Sequence, residues 1–139
     1  MLLALSLAYS TAQAEPAETC EIDLGGPTLQ AYFCAERQAK EASERLSSEL
    51  AATLAALPVR LEQGGPAVTR SALRNAQTKW LAHINAHCRF NAQVAGEPGD
   101  WHIREISVSA CMSREMRVRA NQLAVWRGCF TEGGGQCMP

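Results

Sequence analysis

The sequence predicts an all-α protein: a small three-helix, disulfide-stapled antiparallel bundle. Three observations carry that expectation: long stretches without Gly or Pro whose apolar residues recur every three or four positions, Gly/Pro clusters between them, and an even set of six cysteines. The 139 residues, 47% hydrophobic and 19% charged, fit one domain around one core.

The first segment is Met1 to Ala14, with an apolar run from Leu2 to Ala8 and then Ala12-Gln13-Ala14 before Glu15-Pro16. That pattern reads as an export signal with an A-x-A cleavage site, so residues 1–14 are expected to be a leader. It is short and has no Lys or Arg near its start; a natural start upstream of Met1 would account for both. No stretch reaches the roughly 20 apolar residues of a spanning helix.

Gly25-Gly26-Pro27 opens the first helix, and residues 28–57 contain no Gly or Pro before Pro58. Ala39, Ala42, Leu46, Leu50, Leu54 and Leu57 form its apolar stripe, with Glu36, Arg37, Lys40, Glu41, Glu44, Arg45 and Glu49 on other faces. The turn containing Gly64-Gly65-Pro66 then leads to a second helix from about Ala67 to Arg89. Leu73, Gln77, Trp80, Leu81, Ile84 and Cys88 share one of its faces. Asn91 to Gly99 reads as a loop, after which Asp100 can cap a third helix that reaches roughly to Trp126 and is stopped by Gly128. Met112, Met116, Leu123 and Trp126 line that helix, with Arg119 on the same stripe. Cys129 to Cys137, around Gly133-Gly134-Gly135, reads as an irregular tail held only by a covalent tie. The division expected is therefore a leader at 1–14, a helical domain at 15–127 and a Gly/Cys-rich tail at 128–139.

Charge narrows the partners. Thirteen Lys+Arg against 14 Asp+Glu leave a net charge of −1, so no field of one sign points to nucleic acid or an anionic membrane. The balance is uneven: residues 15–57 hold eight acidic and three basic side chains, which predicts an acidic surface on the first helix.

No catalytic constellation emerges. His83, His87 and Cys88 put two imidazoles on one side of a helix, and His102 could join them, but a zinc site needs four ligands, or three and a water. Solvent-edge histidines are the simpler reading. There is no Gly-x-Ser-x-Gly elbow, Cys-x-x-Cys, Walker loop or dinucleotide fingerprint. The pairs Glu41/Glu44 and Glu18/Glu21 lie in charge-rich segments that do not raise a carboxyl pKa. No enzyme activity and no cofactor are expected.

Six cysteines behind an export signal imply disulfides, and the sequence alone leaves fifteen connectivities. Cys20 follows Ala17-Glu18-Thr19, which lacks the small apolar residues that precede a lipid-modified cysteine, so Cys20 is expected to pair too. Arg119 is the most informative charge, because an unpaired guanidinium on an apolar stripe is costly. Either its stem lies on the core while its head reaches water, or it pairs with a first-helix carboxylate, Glu36, Glu44 or Glu49.

The runs Leu73-x2-Ala76-Gln77-x2-Trp80-Leu81-x6-Cys88 and Cys111-x7-Arg119-x3-Leu123 resemble the bacterial lysozyme inhibitor LprI-like N-terminal domain family over roughly Cys20 to Leu123. The motif positions are Gln77, Trp80, Arg119 and Leu123. Members often carry Arg-Asp shortly after the Trp, where this chain has Ile84-Asn85, and Thr before the Arg, where it has Met116. Ser43 and Leu50 stand where the first-helix Asp and Tyr are expected, so the chain resembles a divergent member. The resemblance implies bridges Cys20–Cys34 and Cys88–Cys111 and leaves Cys129–Cys137 as an addition; the positions of Cys88 and Cys111 across a loop, and the closeness of Cys129 to Cys137, agree with the last two. It further implies a non-catalytic periplasmic or secreted protein that binds a protein partner, with lysozyme or a similar peptidoglycan hydrolase the leading candidate. An acidic first-helix surface would be drawn to such a cationic enzyme, and the Gly-rich segments 96–99 and 133–135 could supply protruding loops. Two other readings are an envelope scaffold marked by an exposed apolar patch, and a metal-binding protein using His83, His87 and His102.

Overall fold

In the computed structural model, which describes residues 29–57, 65–95 and 101–132, the chain forms α1 (Leu29–Ala56), α2 (Gly65–Ala95) and α3 (Trp101–Glu132). The leader expected at 1–14, Cys20, Cys137, the cap expected at Asp100 and both Gly-rich segments lie outside the described residues.

The chain runs up, down and up. Residues of α1 and α3 that bond to each other stay within a narrow range of sequence separation along the helices: Gln38 to Ser113 is 75, Arg45 to Asn121 is 76, Glu49 to Arg127 is 78 and Thr53 to Leu123 is 70, so these two helices are parallel. Across α2 and α3 the separation shrinks toward their connection, from 42 for Gln77–Arg119 to 23 for Cys88–Cys111, so this pair is antiparallel. The helix in the middle is α3, since it packs along both others while α1 and α2 scarcely meet.

The seam between α1 and α3 is built from small side chains. Ala31, Ala35 and Ala42 of α1, and Ser113 and Ala120 of α3, are buried, and residues this small let two helix axes come close. Side-chain hydroxyls then reach the neighbouring backbone. Ser113 Oγ donates to the Gln38 carbonyl at 3.2 Å, and Thr53 Oγ1, fully buried, lies 3.1 Å from the Leu123 carbonyl and 2.7 Å from that of Glu49. Ile106, Ser113 and Ala120 recur every seven residues, as do Met116 and Leu123, the spacing that keeps a seam facing a near-parallel neighbour. Among the described residues Leu123 is the largest fully buried side chain, and it packs with Ala42, Leu46, Met116 and Ala120.

The seam between α2 and α3 uses larger groups and a covalent bond. Ile84, Cys88 and Ala92 of α2 pack with Val108 and Cys111 of α3, and Cys88 and Cys111 are joined with their Cα atoms 5.7 Å apart. Trp80 touches this cluster and the one around Leu123, linking the two seams.

Both later helices outrun the sequence expectation. Residues 91–95 read as loop, yet α2 continues to Ala95: Ala92 is buried against Val108 and Cys111, the Asn91 amide bonds the His87 ring at 2.9 Å, and the first breaker is Gly96. At the other end, Gly128 does not stop α3. The helix passes through it to Glu132, with the half-buried Cys129 disulfide-bonded and the Thr131 hydroxyl returning to the Arg127 and Gly128 carbonyls. A glycine costs a helix only about 1 kcal/mol, which neighbouring contacts override. Residues 128–132, assigned to the irregular tail, are thus helical. Leu81, placed on the apolar face of α2, is exposed instead.

Candidate functional site

The four motif residues of the second and third helices converge. From α2, Gln77 and Trp80 face Arg119 of α3, whose Nε donates to Gln77 Oε1 at 3.0 Å while Nη1 donates to Gln122 Oε1 at 3.2 Å. The guanidinium carbon lies 5.7 Å from the Trp80 ring centre and 5.0 Å from that of Trp126, so the cation is held between two indoles. Each such contact is worth about 0.5 to 2 kcal/mol, more when water is excluded. Partial burial pulls the Arg119 pKa below its ordinary value, by desolvation of the charge. One turn on, Leu123 fills the core beneath.

This arrangement corrects the expectation of an ion pair between Arg119 and α1. A carboxamide and two rings hold the arginine, and the carboxylates proposed for it have other partners. Glu49 accepts from Arg127 Nε and Nη2 at 3.2 and 3.4 Å, Glu44 sits 4.0 Å from Lys40, and Glu36 accepts from the Tyr32 hydroxyl at 2.6 Å. The site is a clamp: it contains a hydrogen-bond donor and π faces but no nucleophile, and among the described residues no buried side-chain N or O lacks a partner.

Nor is α1 the acidic surface that the uneven charge suggested. It carries Glu36, Glu41, Glu44 and Glu49 against Arg37, Lys40 and Arg45, which is close to balance. In α2 there are Arg70, Arg74, Lys79 and Arg89 and no acid, and α3 has five basic and three acidic residues, so the three helices together carry a net +5. The acidity resides in connecting sequence. Residues 15–28 contain Glu15, Glu18, Glu21 and Asp23, residues 96–100 contain Glu97 and Asp100, and neither stretch has a Lys or Arg.

The histidines do not form a metal centre. His83 and His87 stack along α2 with ring centres 6.2 Å apart, and His102 stacks on Trp101. Among the described residues no group of three or more His, Cys, Asp or Glu is placed to hold a metal ion. Proximity on one helix brought two imidazoles together, but the third lies on another helix and engages a different ring.

Sequence reasoning missed the apolar side chains at one end of the bundle. Leu29 and Phe33 at the start of α1, Phe90 and Val94 near the end of α2, and Trp101 at the start of α3 are all exposed. The Tyr32 ring lies 5.7 Å from Phe33 and 6.4 Å from Trp101, edge-on to both, and bridges α1 to α3. Its hydroxyl is held above the ordinary pKa, first by the hydrogen bond to Glu36, then by desolvation and by the charges of Glu36 and Glu105. The available signal was a set of large apolar residues standing off the core stripe. The depressions nearby are shallow: Arg89, Ala92, Gln93, Trp101, Arg104, Glu105 and Val108 line one, between α2 and α3.

Of the six cysteines, Cys88 and Cys111 are joined to each other, Cys34 and Cys129 are also disulfide-bonded, and no described cysteine is free. The assignments of Cys20 to Cys34 and of Cys137 to Cys129 involve residues outside the described set.

Fold and site together define a disulfide-bonded helical domain with a structural cation clamp and an exposed apolar end. The model of the family described as lysozyme inhibitor LprI matches residues 23–123, and the chain belongs to that family. No curated protein and no solved structure matches it. No helix among the described residues is long and apolar enough to cross a membrane.

Proposed function

We propose that this chain is an exported, non-catalytic inhibitor of lysozyme or a similar peptidoglycan hydrolase, acting by docking a rigid surface over the enzyme. The observation that carries the proposal is the match to the lysozyme inhibitor family over residues 23–123. Disulfides at Cys88–Cys111, Cys34 and Cys129 support an oxidising compartment, the periplasm or the exterior, as does the leader pattern at 1–14.

Electrostatics supports the same partner by a different route from the one first read. Lysozyme is cationic, and the complementary charge of this chain lies in residues 15–28 and 96–100, while its helices are basic. Attraction through those segments would speed encounter and fade as salt shortens the screening length to about 8 Å at physiological ionic strength. The envelope-scaffold reading keeps one supporting observation, the exposed apolar end, and differs in leaving the enzyme active.

The test is to titrate the oxidised chain, lacking its leader, into lysozyme while following the clearing of a bacterial cell-wall suspension. Clearing should slow in proportion to added protein and stop near stoichiometric amounts. Undiminished activity at a large excess would reject inhibition.

A further inference from the structure

We infer that the end of the bundle where α1 begins, α2 finishes and α3 begins enters the cleft of the hydrolase, with Arg89 and Arg104 engaging its catalytic carboxylates and Trp101 lying against the cleft wall beside them. This inference rests on the inhibitor reading and names the residues that carry it out.

The exposed apolar surface of the described chain is concentrated at this end. Leu29 and Phe33 on α1, Phe90 and Val94 on α2, and Trp101 and Ile103 on α3 are all exposed. The other large exposed apolar residues, Leu81, Val118 and Val125, stand singly along the helices, which is ordinary for a soluble surface. Trp101 is 54% exposed yet held in place. The His102 ring stacks on it at 3.6 Å between centres, and the Tyr32 ring meets it edge-on at 6.4 Å, with the Tyr32 hydroxyl tied to Glu36. An indole fixed in this way loses little freedom on binding, which suits it to anchor an interface.

Charge selects the occupant. Arg89 of α2 and Arg104 of α3 line the same shallow depression as Trp101, and Glu105 is the one acidic residue in its wall. Arg89 donates from Nε to Asn85 Oδ1 at 3.3 Å, while the Arg104 guanidinium has no hydrogen bond or ion pair with any described residue. On the neighbouring start of α1, Arg37 stands with Glu36, whose carboxylate is already bonded to Tyr32. The described charges at this end are thus Arg37, Arg89 and Arg104 against Glu36 and Glu105. The surplus is positive, and two guanidiniums with donors to spare sit beside an exposed indole. That combination takes a carboxylate.

A glycoside hydrolase presents the complement: two carboxyl groups roughly 5 to 9.5 Å apart, flanking the bond it cuts. A cleft lined by one sign of charge concentrates its field, so a cation entering it is attracted more strongly than one on open surface. Guanidinium meets carboxylate through paired N–H···O bonds. A guanidinium beside the general acid also favours its ionised form, so the proton needed by the departing sugar oxygen is no longer supplied. Inhibition then has two causes, occlusion of the cleft and loss of the acid.

Binding to immobilised lysozyme, measured by surface plasmon resonance, tests the assignment. A chain carrying Arg89→Gln and Arg104→Gln, and separately Trp101→Ala, should each bind at least about tenfold more weakly than the parent, the loss expected for interface anchors. Arg74→Gln, an equal change of charge per residue at an exposed position nearer the other end of α2, should stay within about twofold. Thermal unfolding of every variant within a few degrees of the parent excludes loss of fold. Against a lysozyme whose two catalytic carboxyl residues are replaced by their amides, the parent should lose at least about tenfold and the Arg89/Arg104 variant almost nothing more, because the two changes remove the same contact. A saturating N-acetylglucosamine trimer, which fills the cleft, should block binding. Parent-like binding by the Arg89/Arg104 variant, an equal loss in Arg74→Gln, or binding unaffected by the trimer overturns cleft entry and leaves the inhibitor reading standing. So does a parent that forms a dimer dissociated by Trp101→Ala, or that binds phosphatidylglycerol vesicles through these residues, with lysozyme binding unchanged by the same substitutions. If the parent neither binds nor inhibits lysozyme, the inhibitor reading falls and this inference with it.

Discussion

The two seams of the bundle share one helix yet are held by opposite means. Between α1 and α3, alanines and hydroxyls bring the backbones together, and Ser113 and Thr53 reach carbonyls of the neighbouring helix. Between α2 and α3, a disulfide, two indoles and a guanidinium make the join. The first seam depends on what is missing from its side chains; the second depends on particular large groups. They should therefore fail differently, one by enlargement and the other by deletion.

Deletion at the second seam should have the largest effect. Replacing Cys88 and Cys111 together by Ala releases a tie between residues 23 apart in sequence and should lower unfolding free energy by about 2 to 5 kcal/mol in a denaturant titration. A change under about 1 kcal/mol would show that the aromatic clamp alone suffices there. Enlargement should break the first seam at intermediate cost. Ala120 is fully buried in the cluster with Ala42 and Leu46 of α1, and Leu adds three carbons beyond its methyl, so Ala120→Leu should destabilise by about 1 to 3 kcal/mol through forced helix separation. If that variant is as stable as the parent, the seam is looser than described. The smallest effect has the opposite sign. A Cβ at Gly128 would meet nothing within 4 Å, and the residue is inside α3; Gly128→Ala should raise stability by about 0.5 to 1 kcal/mol and the melting temperature with it.

The same contrast explains what was legible in the sequence. Large residues announce themselves: Trp80, Leu123, Met116 and the Cys88/Cys111 pair all lie where apolar periodicity and cysteine position suggest, and three helices follow from the Gly/Pro breaks. The small-residue seam was less visible, because Ala35, Ser113 and Ala120 do not register as an apolar stripe although their seven-residue spacing is present. Helix ends were misread where Gly128 and Asn91 were weighed as local signals against tertiary contacts that outweigh them. Arg119 was correctly singled out as needing accommodation on the apolar stripe, but of the two readings offered, a solvated head or a first-helix carboxylate, neither named the neutral Gln77 and the two rings that hold it. The acidity was read from a stretch that combined α1 with the residues before it; only the helix boundary at Leu29 separates the balanced helix from its acidic approach.

Fold and charge can be separated in one measurement, which bears most directly on the claim that an ordered surface does the inhibiting. Lysozyme is titrated with the oxidised chain and, in parallel, with the same chain reduced and alkylated in its unfolded form, at equal concentration and salt. Because alkylation with a neutral reagent leaves every acidic residue in place, inhibition by the oxidised chain and none by the reduced one is the predicted result. Equal inhibition by both would mean that acidic sequence alone carries the effect, and would contradict a role for the stapled helices and their apolar end.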